Sequence, residues 1–508
     1  MAPSALFSIP NETILAILGT LNGKDILACS ATCRHLHSLV AESVSLQYAI
    51  ELFACGMFDG ARGPHTLSVR DRLNRLQRYS LAWEQLLWTG LLELPHFVGC
   101  RKPLTASGDV LVVQRVGGGE PKDQVSLHVQ RIPSELRAVD EHRSTNTPPN
   151  PMKNAYDVLL DSSQQLMINN RFRMNSTHRT NELYVSSLLT GDAHPLASPL
   201  IFMCQTGRVD DICGDLLLEM IPGSFPQAGK FVLLNWKTGI VQADYPGDES
   251  SFARRIFVDE HHVLCMSERD PLCLRVDSLV PAGTVQPASY EFLLPEFLQK
   301  GAAVRCMIPY ACTLETTPAP HGCFYPDPAD RLIVVEFHAT ALRRQFTIDV
   351  LARTLTGYIA AHPASPGQSA VVVPWDAWGT RGARMTVLAD SAMHRTVSGS
   401  RQATLTRLDG PHRHTVLTVL DYCPRRVARA IARGTAIVLH GATVGVEHTG
   451  AGFGPLRTEL ACIVTEIPFP FEEEDGLDRR AWICENGVLF LVSDPFWKKI
   501  VDAWAHTI

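Results

Sequence analysis

Apart from Cys29 and Cys33, the best candidate cluster of metal-ligating residues in this 508-residue chain is Cys306, Cys312, His321 and Cys323. Structural zinc sites pair their cysteines as C-x-x-C. These lack that pairing, and buried thiols on strands account for them better. Cys29 and Cys33 are spaced to share a helix face, but their apolar surroundings make cysteine a small core residue there. His261 and His262 are adjacent, so on a strand they point to opposite faces and would not hold one ion. A nucleophile elbow of the Gly-x-Ser-x-Gly kind is absent, and Ser398-Gly399-Ser400 reads as a turn. Glu472-Glu473-Glu474-Asp475, beside Phe469 and Phe471, is an anchored acidic loop rather than a spaced catalytic pair. Gly117-Gly118-Gly119 is followed by Glu120-Pro121-Lys122, not by the Lys-Ser or Lys-Thr and helix of a phosphate loop, so it reads as a hairpin tip. The spacing that calcium loops need is missing as well. No catalytic, cofactor-binding or metal-binding residue is nominated, and no cofactor is expected.

The residues best suited to recognition lie near the amino terminus. Pro10 stands at a helix start, where its missing N–H costs nothing. Glu12 follows in the first turn, against unpaired N–H groups. Ile14, Leu15, Ile17, Leu18 and Leu21 then give a wide apolar face at helical spacing. Asn22-Gly23-Lys24-Asp25 breaks that helix, and Asn22 can cap the next, which carries Ile26, Leu27, Cys29 and Cys33. A third short helix is expected over residues 34–40. Leu46, Ala49, Ile50 and Phe53 mark a fourth, with Gly56 as its stop. So few residues cannot cover their own apolar faces, so a partner or an adjoining domain must. Ser68 to Asp71 resembles a capping box. It opens an amphipathic helix with Leu73, Leu76, Ser80, Trp83 and Leu87 on one face and Arg72, Arg75 and Arg78 on a solvated side.

From about Val110 to Val492 the pattern changes to short strands. Residues 230–239, 330–337, 414–422 and 482–492 are the plainest, and the last holds Glu485-Asn486-Gly487, where Asn-Gly suits the positive φ angles of a tight hairpin. The stretch 139–151 reads as a polar linker or insertion. Leu183 to Gly191 resembles Phe231 to Gly239: both are strands running into Thr-Gly, with the glycines 48 residues apart. A third Thr-Gly ends Phe346 to Gly357. A period of about 40–50 residues with several strands each is that of propeller blades, and the region would hold about seven or eight. The alternative is a pair of β-sandwiches or an irregular β-rich body. The expected fold class is therefore α+β multidomain: helical motif 1–56, linker with amphipathic helix 57–100, and an all-β body 101–508, most readily a β-propeller.

Composition limits the partners. The chain is 45% hydrophobic and 19% charged, as globular proteins are. Its net charge of −6 argues against nucleic acid or an anionic membrane as partner. Scattered cysteines, no leader-like start and no long apolar run predict a reducing compartment, cytoplasm or nucleus.

The order Ile9-Pro10-Asn11-Glu12, Ile14-Leu15, Ile17-Leu18, Leu21, Asp25-Ile26-Leu27, Cys33-Arg34 resembles the F-box motif over about residues 7 to 46. Two positions depart: Thr32 stands where Val is usual, and Leu36 where an aromatic is usual. The whole chain resembles the F-box proteins expanded in mushroom-forming fungi, with an Arg- and Leu-rich helix ending in Trp and then a long β-rich region. The resemblance implies a non-enzymatic substrate receptor of a Skp–cullin–F-box ubiquitin ligase. The Skp-type adaptor and its cullin would be engaged through Ile9, Pro10, Ile14, Leu15, Ile17, Leu18, Leu21, Ile26, Leu27, Cys33 and Leu36, and an unknown protein substrate through the body. An F-box scaffold acting outside the ligase and an enzyme on the β body remain as alternatives.

Overall fold

The helical part starts and stops where its residue types require. In the computed structural model, α1 (Asn11–Leu18) begins directly after Pro10, with Glu12 in its first turn. α2 (Gly23–Ser30) is capped by the Asn22 side chain, which accepts from the Asp25 N–H. α3 (Arg34–Glu42) and α4 (Val44–Cys55) follow, and α4 ends on Gly56 at φ 63°. The residues described are 9–60, 67–100, 103–116, 125–146, 157–174, 179–197, 201–205, 208–221, 229–246, 254–267, 271–279, 289–299, 304–310, 314, 322–339, 344–365, 368–388, 392–408, 414–444, 456–469, 478–494 and 499–508.

α5 (Val69–Gln85) is capped by Ser68 and stopped by Leu86 in a left-handed conformation. Its stripe buries Leu76, Ser80 and Trp83. Two expectations need correction. Leu87 lies beyond the helix end and is exposed. Arg72 is not on a solvated side but buried, because acceptors from two other segments surround it (below).

The β body is a seven-bladed propeller made of seven sheets. The blades are numbered by their first strands: Pro103–Ser107, Asp157–Asp161, Arg208–Cys213, Ile256–Asp259, Val304–Tyr310, Ala392–Ser398 and Asp478–Cys484. These strands line the inside of the ring, where several neighbouring blades meet through them. The Thr-Gly repeat is structural in two places. Arg179–Ser187 and Lys230–Asn235 are the third strands of blades 2 and 3, and the turns after them close on Gly191 at φ 74° and Gly239 at φ 72°. Arg344–Leu351 is likewise the third strand of blade 5, but Thr356 and Gly357 lie inside a helix, α6 (Ala352–Ala361), so no turn forms there.

Insertions hide the period further along the chain. Between the third and fourth strands of blade 5 come α6, the strand Ala370–Val373 and α7 (Trp375–Gly382); that strand pairs parallel with Ser289–Leu293 and widens blade 4. Blade 6 carries α8 (Pro424–Arg433) at the same point.

Two more corrections concern strands and turns. Within 139–151, His142–Asn146 is the fourth strand of blade 1, not linker, because an outermost strand can be polar on both faces; 147–151 lie outside the described residues. The tip Gly117-Gly118-Gly119 and the acidic run 472–475 also lie outside them. In the hairpin at Glu485-Asn486, the positive φ belongs to Gly487 alone, and a Cβ there would meet the His506 carbonyl at 2.0 Å.

Blade 7 is completed from the other end of the chain. Its outermost strand is Gly90–Glu93, which pairs Gly90 with Thr507 and Glu93 with Trp504. The segment 57–100 therefore supplies part of the propeller as well as linking to it.

Short turns at Gly108, Gly214, Gly399 and Glu485-Asn486 join first to second strands. Alternation along each meander puts them at one end of the ring, together with the described third-to-fourth connections, α6 and α8 included. α5 and the helical motif sit at that end.

Candidate functional site

The residues expected to meet an adaptor divide into three groups. Ile14, Leu18, Ile26 and Leu36 are 0–6% exposed and form the motif's own core with Val40 and Leu46. Burying each contributes roughly 1.5–3 kcal/mol, which holds four short helices together. Ile9, Leu15, Leu21 and Cys33 are half-buried against that core. Pro10, Ile17 and Leu27 are exposed, the last two at 50% and 47%. Cys33 also caps α3, its sulfur accepting from the Leu36 N–H at 3.5 Å. Thr32 donates to the Cys29 carbonyl at 2.7 Å and so closes the end of α2.

The end of α4 is seated on the body, and charge fixes the seat. The Arg426 guanidinium on α8 donates to both Asp421 oxygens (2.8 and 2.9 Å), to Ser400 Oγ (2.6 Å) and to the Cys55 carbonyl of α4 (2.5 Å). One buried side chain thus ties the helical motif to blade 6. Burial alone would raise the Asp421 carboxyl, but Arg426 and Arg401 hold it down at about 2. Arg429 donates to Glu51 on α4 at 2.5 Å. Arg425 donates to Asp330 at 2.7 Å and lies over the Phe53 ring at 5.2 Å. The Cys55 thiol, buried beside Glu51, is pushed up to about 12.

A second set of contacts runs from α4 and α5 to the segment inserted between the first two strands of blade 5. Met57–Asp59 pairs antiparallel with Phe324–Pro326. The Tyr48 hydroxyl donates to Asp59 at 2.8 Å, and burial with that carboxylate nearby raises its pKa. Arg72 pairs with Asp59 and donates to the carbonyls of Cys323 (2.9 Å) and Gly60 (3.3 Å). Beneath them, Tyr79 donates to the Glu485 carbonyl at 2.7 Å, and Arg401 lies 4.3 Å over the Trp83 ring. Arg137, 1% exposed, pairs with Glu485 at 2.6 Å and donates to Asn486 at 2.7 Å, joining blades 1 and 7.

Sequence reasoning missed this seat. Arg425, Arg426 and Arg429 at helical spacing next to apolar residues were a legible signal, since a solvated helix does not need three arginines on one face. Their acidic partners are far away in sequence and were not.

Among the described residues, no group of His, Cys, Asp and Glu is placed to hold a metal. The Cys306 side chain, Cys312 and His321 lie outside the described residues; Cys323 is buried, its thiol 3.8 Å from the Leu136 carbonyl. His262 Nδ1 lies 2.8 Å from Asp259 at a hairpin end, and Ser398 to Ser400 is the turn expected of it. No described helix is long and apolar enough to cross a membrane.

Residues 6–48 match the F-box-like family, and the chain carries an F-box-like domain there. No curated protein matches the chain. Among solved structures, an uncharacterized protein from Listeria monocytogenes is 9% identical, with 80% of this chain and 94% of that one covered, at a TM-score of 0.33. The WD40 domain of SCAP from fission yeast is 8% identical, with 82% and 94% covered, at 0.32. Likenesses this slight carry no argument about function.

Proposed function

We propose that this chain is the substrate-recognition subunit of a Skp–cullin–F-box ubiquitin ligase. One observation carries the reading: an F-box-like domain leaves Ile17, Leu27 and Pro10 uncovered while the end of its α4 is locked onto the propeller. Exposed anchors of this kind suit a Skp-type adaptor, with Ile9, Leu15, Leu21 and Cys33 at the edge of the contact. Ile14, Leu18, Ile26 and Leu36 shape that surface from beneath.

The role needs no chemistry from this chain. The adaptor and cullin bring the ubiquitin-charged enzyme, the body brings the target, and the rate gain is one of effective concentration. A seat of buried arginines suits that role, since it fixes how the target sits relative to the enzyme. The F-box, α5 and α8 cover the end of the ring that carries the first-to-second-strand turns. We assign target recognition to the opposite end. Cytoplasm or nucleus follows as the place of action.

Co-purification with a Skp-type adaptor and cullin tests the reading. The unaltered chain should recover both. The double variant Ile17→Asp, Leu27→Asp should lose the adaptor while the circular dichroism of the body is kept. If the unaltered chain recovers no adaptor, the proposal fails; adaptor without cullin would favour a scaffold.

A further inference from the structure

Lysine is scarce in this chain. It holds 9 lysines against 37 arginines, and none between Lys300 and Lys498. For buried positions the geometry explains the preference. Arg426 and Arg137 each serve several acceptors at once, which an ammonium cannot match. That reason does not reach the surface. Arg34, Arg70, Arg78, Arg381, Arg433 and Arg457 are exposed, and lysine would solvate such positions equally well.

The few described lysines are also placed selectively. α4, α5, α8 and the described parts of blades 1 and 6 contain none. Lys230 and Lys237 are on blade 3 and pair with Asp244 (3.2 Å) and Asp215 (2.6 Å); Lys237, in the third-to-fourth turn, is at the F-box end but across the ring from blades 6, 7 and 1 that seat α5. Lys24 lies one helical turn from Leu27, within the surface assigned to the adaptor. Lys499 opens the third strand of blade 7 at the end away from the Glu485-Asn486 turn. Lys102, Lys122, Lys153, Lys300 and Lys498 lie outside the described residues.

We infer that the part of the F-box end formed by α4, α5 and α8 is kept free of acceptor amines, so that the ligase it serves does not modify it there. This inference rests on the function proposed above. In ubiquitin transfer, a deprotonated lysine amine attacks the thioester carbonyl joining ubiquitin to its carrier enzyme. An N–C bond forms, the C–S bond breaks, the thiolate leaves, and the amine proton passes to solvent or to that thiolate. A guanidinium stays protonated and cannot be the nucleophile. Tethering raises the local concentration of the charged enzyme around the receptor as well as the target, so every reachable amine competes. Arginine keeps the surface charge and removes the competitor.

The test uses the full chain reconstituted with adaptor, cullin–RING, charged carrier enzyme and ubiquitin, without target. The triple variant Arg70→Lys, Arg78→Lys, Arg433→Lys alters three exposed cations on α5 and α8, outside the surface assigned to the adaptor. Self-ubiquitination should rise severalfold over the unaltered chain, with isopeptide linkages mapped by mass spectrometry to residues 70, 78 and 433. If the variant still holds adaptor and cullin, yet is modified no faster and bears no linkage at those residues, the inference is overturned. If the unaltered chain recovers no adaptor, the proposed function fails and takes this inference with it.

Discussion

Replacing Arg426 with Ala should loosen the F-box from the propeller. The side chain is buried and donates to Asp421, Ser400 and the Cys55 carbonyl. Its loss leaves a buried carboxylate with Arg401 as remaining cation, 3.2 Å away. The drop of the Asp421 carboxyl to about 2 corresponds to about 2 kcal/mol at neutral pH. Breaking a buried pair costs about 3–5 kcal/mol when the other charge stays behind, and Arg401 softens that. The expected loss is about 3–4 kcal/mol. Arg426→Lys should restore less than half of it, because one ammonium cannot span both Asp421 oxygens and Cys55. The assay is urea unfolding of both chains across pH, with hydrogen exchange at the end of α4 as a local readout. The sign follows from the direction of the shift. A carboxyl held below its ordinary value of about 3.9 contributes stability that is present above that pH and is lost as pH falls towards 2. In the variant burial dominates and raises the carboxyl, so acid relieves the uncompensated charge. The gap between the two chains should therefore shrink from pH 5 to pH 2. A gap below about 1 kcal/mol at pH 7, or one that stays constant through that window, would refute the reasoning.

Other outcomes follow from the same contacts. Leu18→Asp, in the motif's core, should unfold the F-box and give fast hydrogen exchange through α1 to α3, whereas Leu27→Asp should leave exchange unchanged and abolish adaptor recovery. Trp83→Ala removes a ring packed between Tyr79 and Arg401, and should cost about 3–5 kcal/mol in urea unfolding. Gly487→Ala sets a methyl against the His506 carbonyl, and should lower the unfolding midpoint with a loss of about 2 kcal/mol or more. The fragment 101–508 lacks the outermost strand of blade 7, and should bind a hydrophobic dye and elute as larger species in gel filtration.

The F-box was the most legible part because its signals are local. Pro10, Asn22, Ser68 and Gly56 act within a turn of themselves, and each begins or ends the helix expected of it. The propeller was legible as a period where blades are plain: Thr-Gly marks equivalent turns in blades 2 and 3. Where helices enter blades 5 and 6, the same strand is followed by a different structure and the spacing breaks. A better marker was present. Ser107-Gly108-Asp109, Cys213-Gly214-Asp215 and Ser398-Gly399-Ser400 are the same first turn in three blades, each with its glycine at φ 55°. The seat could not be read, since Arg426 and Cys55, or Tyr48 and Cys323, meet only after the ring has formed. Among the anchors, sequence gave helical faces but not which side faces solvent, and Ile14 and Ile17 look alike until α3 covers one of them.

The strand Gly90–Glu93 reaches the ring only by joining partners about 400 residues further along the chain. Such a clasp gives the molecule a built-in order of events. The F-box segment leaves the ribosome before the ring does, yet part of its footing, Glu485 and the strands beside it, arrives only about 400 residues later. Closing so long a loop is slow, and until it closes the strand has no partner to pair with. A nascent or truncated chain thus carries an F-box-like domain with no fixed bearing, and ring closure is the step that gives it one.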